Sequence, residues 1–269
     1  MSLTIRTGTI IAALATALSI GPALAATDAE HPHTPHEGWS FSGVFGHYEP
    51  VTLQRGYMVF ESVCASCHSL EYIAYRNMAE PGGPGFTMDQ VRAIAAQHQV
   101  PAGPNEFGET VDEYGMPLTR TGIPADAIPS PFPNVEAARA ANGGRLPPDL
   151  SLMAKARHNG PSYIYSLLTG YEEAPEDVEM QPGTHYNPYF PGHQIGMAAP
   201  LYEGAVEYPD GTEATVEQMA YDVANFLMWA AEPKLEKRKR MGFQVMLFLL
   251  FLAGLLYWSY RQVWADVEH

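Results

Sequence analysis

The chain has 269 residues, with 30 acidic and 15 basic side chains, a net charge of −15 and only two cysteines. That length allows one sizeable core with appendages. The negative balance excludes nucleic acid as a partner, and two cysteines exclude a disulfide-built scaffold. Between residues 26 and 233 there are 8 basic residues against 27 acidic ones, an excess of 19 negative charges. Such a field keeps a domain soluble, and it also steers a basic partner toward it.

Residues 1–25 read as a signal peptide. Arg6 supplies the leading charge, Ile10 to Ile20 the apolar core and Ala23-Leu24-Ala25 an A-x-A cleavage site. The mature domain is expected to begin near Ala26 and to be exported. A mitochondrial presequence would be richer in arginine, which favours a bacterial periplasm. His31, His33 and His36 lie among prolines, a pattern read here as a poorly ordered leader in preference to a metal-binding tract. The first helix is expected from about Thr52 to Cys67, with Gly56 and Phe60 one turn apart on a face suited to close crossing by another helix.

Cys64-Ala65-Ser66-Cys67-His68 follows the C-x-x-C-H pattern of covalent c-type haem attachment. Two thiols three positions apart on a helix can each add to one porphyrin vinyl group. The histidine after the second thiol then lies beneath the iron as its proximal ligand. A zinc half-site would need further soft ligands, and no other cysteine exists. A thioredoxin-like dithiol would need a βαβ setting. A disulfide between Cys64 and Cys67 would not require His68.

Residues 81–148 are rich in glycine and proline. Thr87 and Gln90 form a capping box that opens a short helix to about His98, and the remainder is expected to be loop. So long a loop in a compact domain implies that it wraps something, and a haem is that object. A short helix is expected from Asp149 to His158, and another between Pro161 and Gly170. The acidic run Glu172, Glu173, Glu176, Asp177 and Glu179 follows. Thr215 and Gln218 form a second capping box. Val216, Met219, Ala220, Val223, Phe226 and Leu227 then recur at helical spacing until Pro233, making the natural partner of the Gly56/Phe60 face. A low-spin electron carrier needs a sixth iron ligand. The residues alone leave Met197, Met180, His185 and His193 as candidates, with Met197 favoured by its small neighbours and by Pro200.

Met241 to Tyr260 is uncharged and apolar on every face. Twenty residues at 1.5 Å rise span about 30 Å, one bilayer core, and Tyr257, Trp258, Tyr260 and Trp264 form an interfacial belt. This predicts a membrane anchor in contact with lipid. Five basic residues, Lys234 and Lys237 to Arg240, precede the span and Arg261 follows it. The positive-inside rule alone would place the basic run in the cytoplasm; the signal peptide overrides it, and the span acts as a stop-transfer segment. The expected organisation is 1–25 signal peptide, 26–233 periplasmic haem domain, 234–261 anchor and 262–269 cytoplasmic tail.

From about Gly38 onward the chain resembles the cytochrome c1 family, the haem subunit of ubiquinol:cytochrome c oxidoreductase (the cytochrome bc1 complex). The resemblance rests on C-A-S-C-H, Arg139-Ala140-Ala141-Asn142, Leu146-Pro147-Pro148-Asp149-Leu150-Ser151 and Ala156-Arg157-His158. It continues in Tyr163, Ser166 to Tyr171, Asn187 to Gly192, Ile195-Gly196-Met197, Trp229-Ala230-Ala231-Glu232-Pro233 and the anchor. It implies a mainly α, class I c-type cytochrome fold with long inserted loops and one C-terminal transmembrane helix. It implies one covalent haem c on Cys64 and Cys67, with His68 and Met197 as axial ligands. Arg157 is then placed at a haem propionate, and Asn142, Pro147, Pro148 and Tyr163 in the haem pocket. Some relatives carry a disulfide in the loop before the methionine; this chain has no cysteines for one, so that loop is expected to be held by packing alone.

The implied partners are cytochrome b, the Rieske iron–sulfur protein as electron donor, a soluble or membrane-tethered c-type cytochrome as acceptor, and a dimeric complex in the bacterial inner membrane. The chain itself would carry electrons and catalyse nothing. A haem enzyme such as a peroxidase or nitrite reductase would need an open distal site, which Met197 closes. The haem c subunit of a terminal oxidase or nitric oxide reductase would not be expected to carry the L-P-P-D-L-S and W-A-A-E-P blocks.

Overall fold

Helix α1 (Pro50–Ser62) crosses helix α6 (Val216–Ala231) where Gly56 meets the main chain of Asp222 and the Cβ of Phe226. In this computed structural model, which describes residues 29–267, a methyl group at Gly56 would collide with both. The α1 sequence dictates this contact. Pro50 suits a first helical turn, and Leu53, Gly56, Tyr57 and Phe60 recur at three- and four-residue steps on the buried face. The Phe60 and Phe226 rings lie 5.8 Å apart. Beside the crossing, the Arg55 guanidinium forks onto the fully buried Asp222 carboxylate at 2.9 and 3.1 Å, a bidentate pairing that offsets the cost of burying the charge. The expected pairing of the Gly56/Phe60 face with α6 is what the structure shows.

Around this pair lie short pieces. In chain order they are β1 (Leu70–Ala74), α2 (Met88–Ala95), β2 (Gln99–Pro101), β3 (Thr119–Thr121), β4 (Ala127–Ile128), α3 (Val135–Ala141), α4 (Met153–Ala156), α5 (Gly160–Thr169), β5 (His185–Tyr186) and β6 (Gln194–Ile195). Three two-stranded antiparallel sheets form: β1 with β4, β2 with β3 and β5 with β6. Helices α4 and α5 pack on α6, so α6 is buried on most of its surface.

Several expectations need correction. Helix α1 stops at Ser62, and Cys64–Ser66 form a separate 3-10 turn. The 81–148 stretch contains β2, β3, β4 and α3 instead of one helix and loop. Asn134 starts α3 by accepting the Ala137 amide at 2.8 Å. The Thr87/Gln90 capping box is present, though α2 ends at Ala95. The second box is only half made: Thr215 caps the Gln218 amide at 3.1 Å, but the Gln218 side chain turns to Asp222 at 3.0 Å. Only Met153–Ala156 of the 149–158 stretch is helical.

From Glu30 onward the histidine-bearing segment is bound to the core, not loose. The His33 amide donates to Ser166 at 2.9 Å, and the Trp39 indole donates to Ser162 at 2.9 Å. The Trp39 ring stacks on Tyr221, with centroids 5.4 Å apart and planes 3° from parallel. The expected signal peptide lies outside the described residues.

Helix α7 (Leu235–Val263) is the one helix among the described residues that is long and apolar enough to cross a membrane, and its apolar window is wholly exposed. Its junction with α6 is clamped. The Tyr48 hydroxyl donates to the carbonyls of Met228 and Glu232 at 3.2 Å each, and the Tyr48 amide donates to Glu236 at 2.9 Å. Glu232 also pairs with Lys155 at 2.8 Å and with Arg238.

Candidate haem site

Leu53, Val59 and Phe60 anchor α1 in the core, so the 3-10 turn that follows emerges from a fixed base. The Cys64 carbonyl accepts the amides of both Cys67 and His68, at 3.1 and 2.9 Å. This turn presents the two unpaired thiols three positions apart. Burial pushes the Cys64 thiol up to about 12.

His68 is oriented by Pro148. Its Nδ1 lies 2.8 Å from the Pro148 carbonyl oxygen. A carbonyl only accepts, so Nδ1 carries the proton and the Nε2 lone pair is left for another partner. A second hydrogen bond of this kind fixes ring and tautomer in metal-bound histidines. Burial lowers the His68 pKa, against the opposing pull of Pro148 and Asp149, and thereby favours the neutral, ligating imidazole.

Asp149 locks the two segments together. Its Oδ2 accepts the Ser69 hydroxyl at 2.8 Å and the Glu71 amide at 2.9 Å, while Oδ1 accepts the Ser151 amide at 2.9 Å. Burial alone would raise the Asp149 pKa, but these donors outweigh it and hold the carboxyl below its ordinary range.

Met197 stands just after β6, half-buried. The Tyr171 hydroxyl donates to its main-chain carbonyl at 3.1 Å. The loop before it is tied by the β5–β6 ladder and by Gln194, which accepts the Gln181 amide at 2.9 Å and donates to the Glu179 carbonyl at 3.2 Å. The Arg145 stem lies across Gly196 so closely that a Cβ there would overlap it. Hydrogen bonds as well as packing therefore hold this loop, which corrects the expectation of packing alone. Met180 and His185, the rival ligands, line an open recess of about 450 Å³ together with Tyr171, Glu172 and Glu173. The His193 Nδ1 sits 3.2 Å from the Pro188 carbonyl oxygen, and its ring lies beside Tyr186, which also lines the recess.

Arg157 is exposed, and its positive charge pulls down the pKa of the Tyr163 hydroxyl, which burial raises. Burial raises the Tyr171 pKa, and the neighbouring Tyr163 phenol raises it further. Arg157, Tyr163, Tyr171 and the Met197 carbonyl thus form one chain of neighbours. The Asn142 side-chain amide donates to the Ala138 carbonyl at 2.7 Å and caps α3. Pro147 is half-buried beside the exposed Pro148. Sequence reasoning quoted Tyr171 only inside a motif and passed over Arg145; a hydroxyl two residues past the end of α5 was the available signal for the first, and nothing marked the second.

Among the described residues no three His, Cys, Asp or Glu side chains group as a metal site. Two thiols, an imidazole with one free nitrogen and a thioether on a tethered loop are a donor set that fits a haem. A model of the Cytochrome C1 family matches residues 39–267. The chain belongs to the cytochrome c1 family.

Among relatives, a cytochrome c1 of Rhodospirillum rubrum is 45% identical over 249 residues, covering 87% of this chain and 88% of the relative. A mitochondrial cytochrome c1 haem protein of Kluyveromyces lactis is 47% identical, covering 91% and 81%. A cytochrome b/c1 of Bradyrhizobium diazoefficiens is 49% identical over 251 residues; the chain spans 36% of that longer protein. The cytochrome c1 family supplies the membrane-anchored haem subunit of the cytochrome bc1 complex, so the chain's role is electron transfer, its cofactor is haem c, and cytochrome b and the Rieske protein are its companion subunits.

Proposed function

We propose that this chain takes one electron from the Rieske iron–sulfur protein and passes it to a soluble or membrane-tethered c-type cytochrome. The observation that carries this reading is the His68 Nδ1 contact to Pro148 at 2.8 Å, beside two correctly spaced thiols. Haem c supplies a one-electron iron couple when bound. Cys64 and Cys67 would hold it through thioether bonds, and His68 and Met197 would close its two axial positions. The Pro148 carbonyl holds the His68 proton on Nδ1, which makes Nε2 the stronger donor. Tyr171 restrains the Met197 main chain, so the thioether is offered from a settled loop. Arg157 would face a propionate, with Tyr163, Asn142, Pro147 and Pro148 lining the pocket.

Residues 1–25 would direct export, residues 26–233 would form a periplasmic haem domain, residues 234–261 would anchor it in lipid of a bacterial inner membrane, and residues 262–269 would end in the cytoplasm. The assembly would be a dimer of bc1 units. The experiment has two arms. Haem that stays with the polypeptide after denaturation supports covalent attachment. A reduced spectrum unchanged by carbon monoxide supports a closed sixth position; a shifted spectrum overturns the carrier reading in favour of an open, reactive iron.

A further inference from the structure

The loop from Phe41 to Gly46 carries no charge, in a domain with 19 excess negative charges. Its tip exposes Val44 by 66% and Phe45 by 83%, among the most exposed large apolar side chains of the haem-bearing part. A soluble surface tolerates single exposed apolar residues, but this pair is held out by construction. Gly43 takes a left-handed φ of 71° at the turn, and a Cβ at Gly46 would strike the main chain of Phe41 and Ser42. The Ser40 carbonyl closes the loop by accepting the His47 amide at 3.1 Å.

This loop is fastened to the anchor helix. The Lys239 ammonium donates to the carbonyls of Phe41 and Gly43 at 2.6 Å each and of Gly46 at 3.1 Å. One cation thus gathers three carbonyls from a six-residue turn. Phe45 then reaches beyond Lys239 and meets Phe243, with ring centroids 6.2 Å apart at 62°. Phe243 is four residues farther along α7, about 6 Å of rise. Lys234, Lys237 and Arg240 are exposed around the same first turns, the level at which basic side chains meet phosphates. Phe45 therefore lies on the apolar side of that basic ring.

We propose that Val44 and Phe45 insert into the lipid boundary beside α7 as a second membrane contact of this chain. The proposal rests on α7 crossing the membrane. Lipid fits the loop better than a protein partner: two side chains are too small an apolar area for a stable protein interface, whereas shallow burial of about 5–10 Å is what an interfacial element needs. The contact fixes the haem domain at two points instead of one, so it sets the tilt of that domain over the bilayer.

The test uses the full haem-loaded chain in phosphatidylcholine vesicles, labelled with an environment-sensitive fluorophore at Phe45→Cys. Phe107→Cys, at a site 79% exposed in the β2–β3 connection, serves as the aqueous control, and Leu250→Cys reports on the anchor. The expected result is a blue-shifted position-45 label that shallow nitroxide lipids quench and a water-soluble quencher does not, with the reverse at 107. Equal aqueous quenching at 45 and 107 overturns the proposal. A label at 45 shielded from both lipid and aqueous quenchers in the whole bc1 complex overturns it too, since a protein subunit then covers the loop. Failure of deep nitroxide lipids to quench position 250 would instead refute the anchor on which the proposal rests.

Discussion

Tyr171 and Met197 are joined by a hydrogen bond of 3.1 Å from the phenol to the methionine's own carbonyl. The side chain proposed as iron ligand is thus positioned through its main chain. Tyr171→Phe keeps the ring and removes the donor, at a cost of about 1 kcal/mol. The expected outcome is a weakened methionine–iron charge-transfer band in the oxidised protein, with haem content unchanged. A band identical to wild type would show that Gln194 and Arg145 suffice to hold the loop.

Met197→Leu preserves volume and removes the thioether. The midpoint potential is expected to fall by a sizeable part of the ~0.8 V range that axial ligands span, and carbon monoxide should then bind the reduced form. Redox titration and the reduced spectrum check both. An unchanged potential would move the ligand to Met180, His185 or His193.

Arg157 is exposed and sits near the Tyr163 hydroxyl. If Arg157 faces a haem propionate as proposed, Arg157→Gln removes a positive charge near the iron, favours the ferric state and is expected to lower the potential by on the order of tens of millivolts. It should also raise the Tyr163 pKa, because the charge that pulls it down is gone. A solvated surface arginine would leave both unmoved. The potential and the ultraviolet titration of the phenol together decide the matter.

Asp149 gives a pH prediction. Its folded pKa lies below the unfolded value, which is about 3.9. The stability it contributes is therefore complete above that unfolded value and is lost as pH falls through the lower folded one. Asp149→Asn is expected to cost roughly 1.5–3 kcal/mol at neutral pH and nothing at pH values below the folded pKa. Denaturant unfolding at several pH values would show the two curves converging in acid. Parallel curves would remove Asp149 from the account.

The exposed acidic residues Glu172, Glu173, Glu176, Asp177 and Glu179 follow directly on Tyr171, and the first two border the recess beside it. A basic acceptor cytochrome should be steered there, mainly through its association rate. The second-order electron-transfer rate is expected to drop between 0.01 M and 0.1 M salt, as the Debye length shrinks from ~30 Å to ~10 Å. Stopped-flow mixing tests this. A flat rate would assign docking to apolar contact, and a salt-sensitive rate untouched by neutralising these five would place the field elsewhere.

The helix crossing was legible because its code is local and periodic. Gly56 and Phe60 mark one face of α1, and the apolar spacing of 216–227 marks its partner. The attachment turn was legible as a motif but not as a shape, since Cys64–Ser66 leave the helix for a tighter turn. Two-residue strands such as His185–Tyr186 have no period to read. The N-terminal segment was misjudged because its order comes from Ser162 and Ser166, more than a hundred residues away. Arg145 escaped for the same reason: its contact with Gly196 exists only after folding.

Tyr48 bridges the last carbonyls of α6 and the first carboxylate of α7, where Pro233 would otherwise leave a joint. A splint at that joint makes the haem-bearing part a rigid mast on its stem. Inter-label distances measured by pulsed electron paramagnetic resonance between α2 and α7 should form a single narrow distribution. If that distribution is narrow, the haem-bearing part does not swing between the proposed donor and acceptor. The travel needed to carry an electron onward must then belong to the molecules that visit it, and the spacing at each visit is fixed by where they dock.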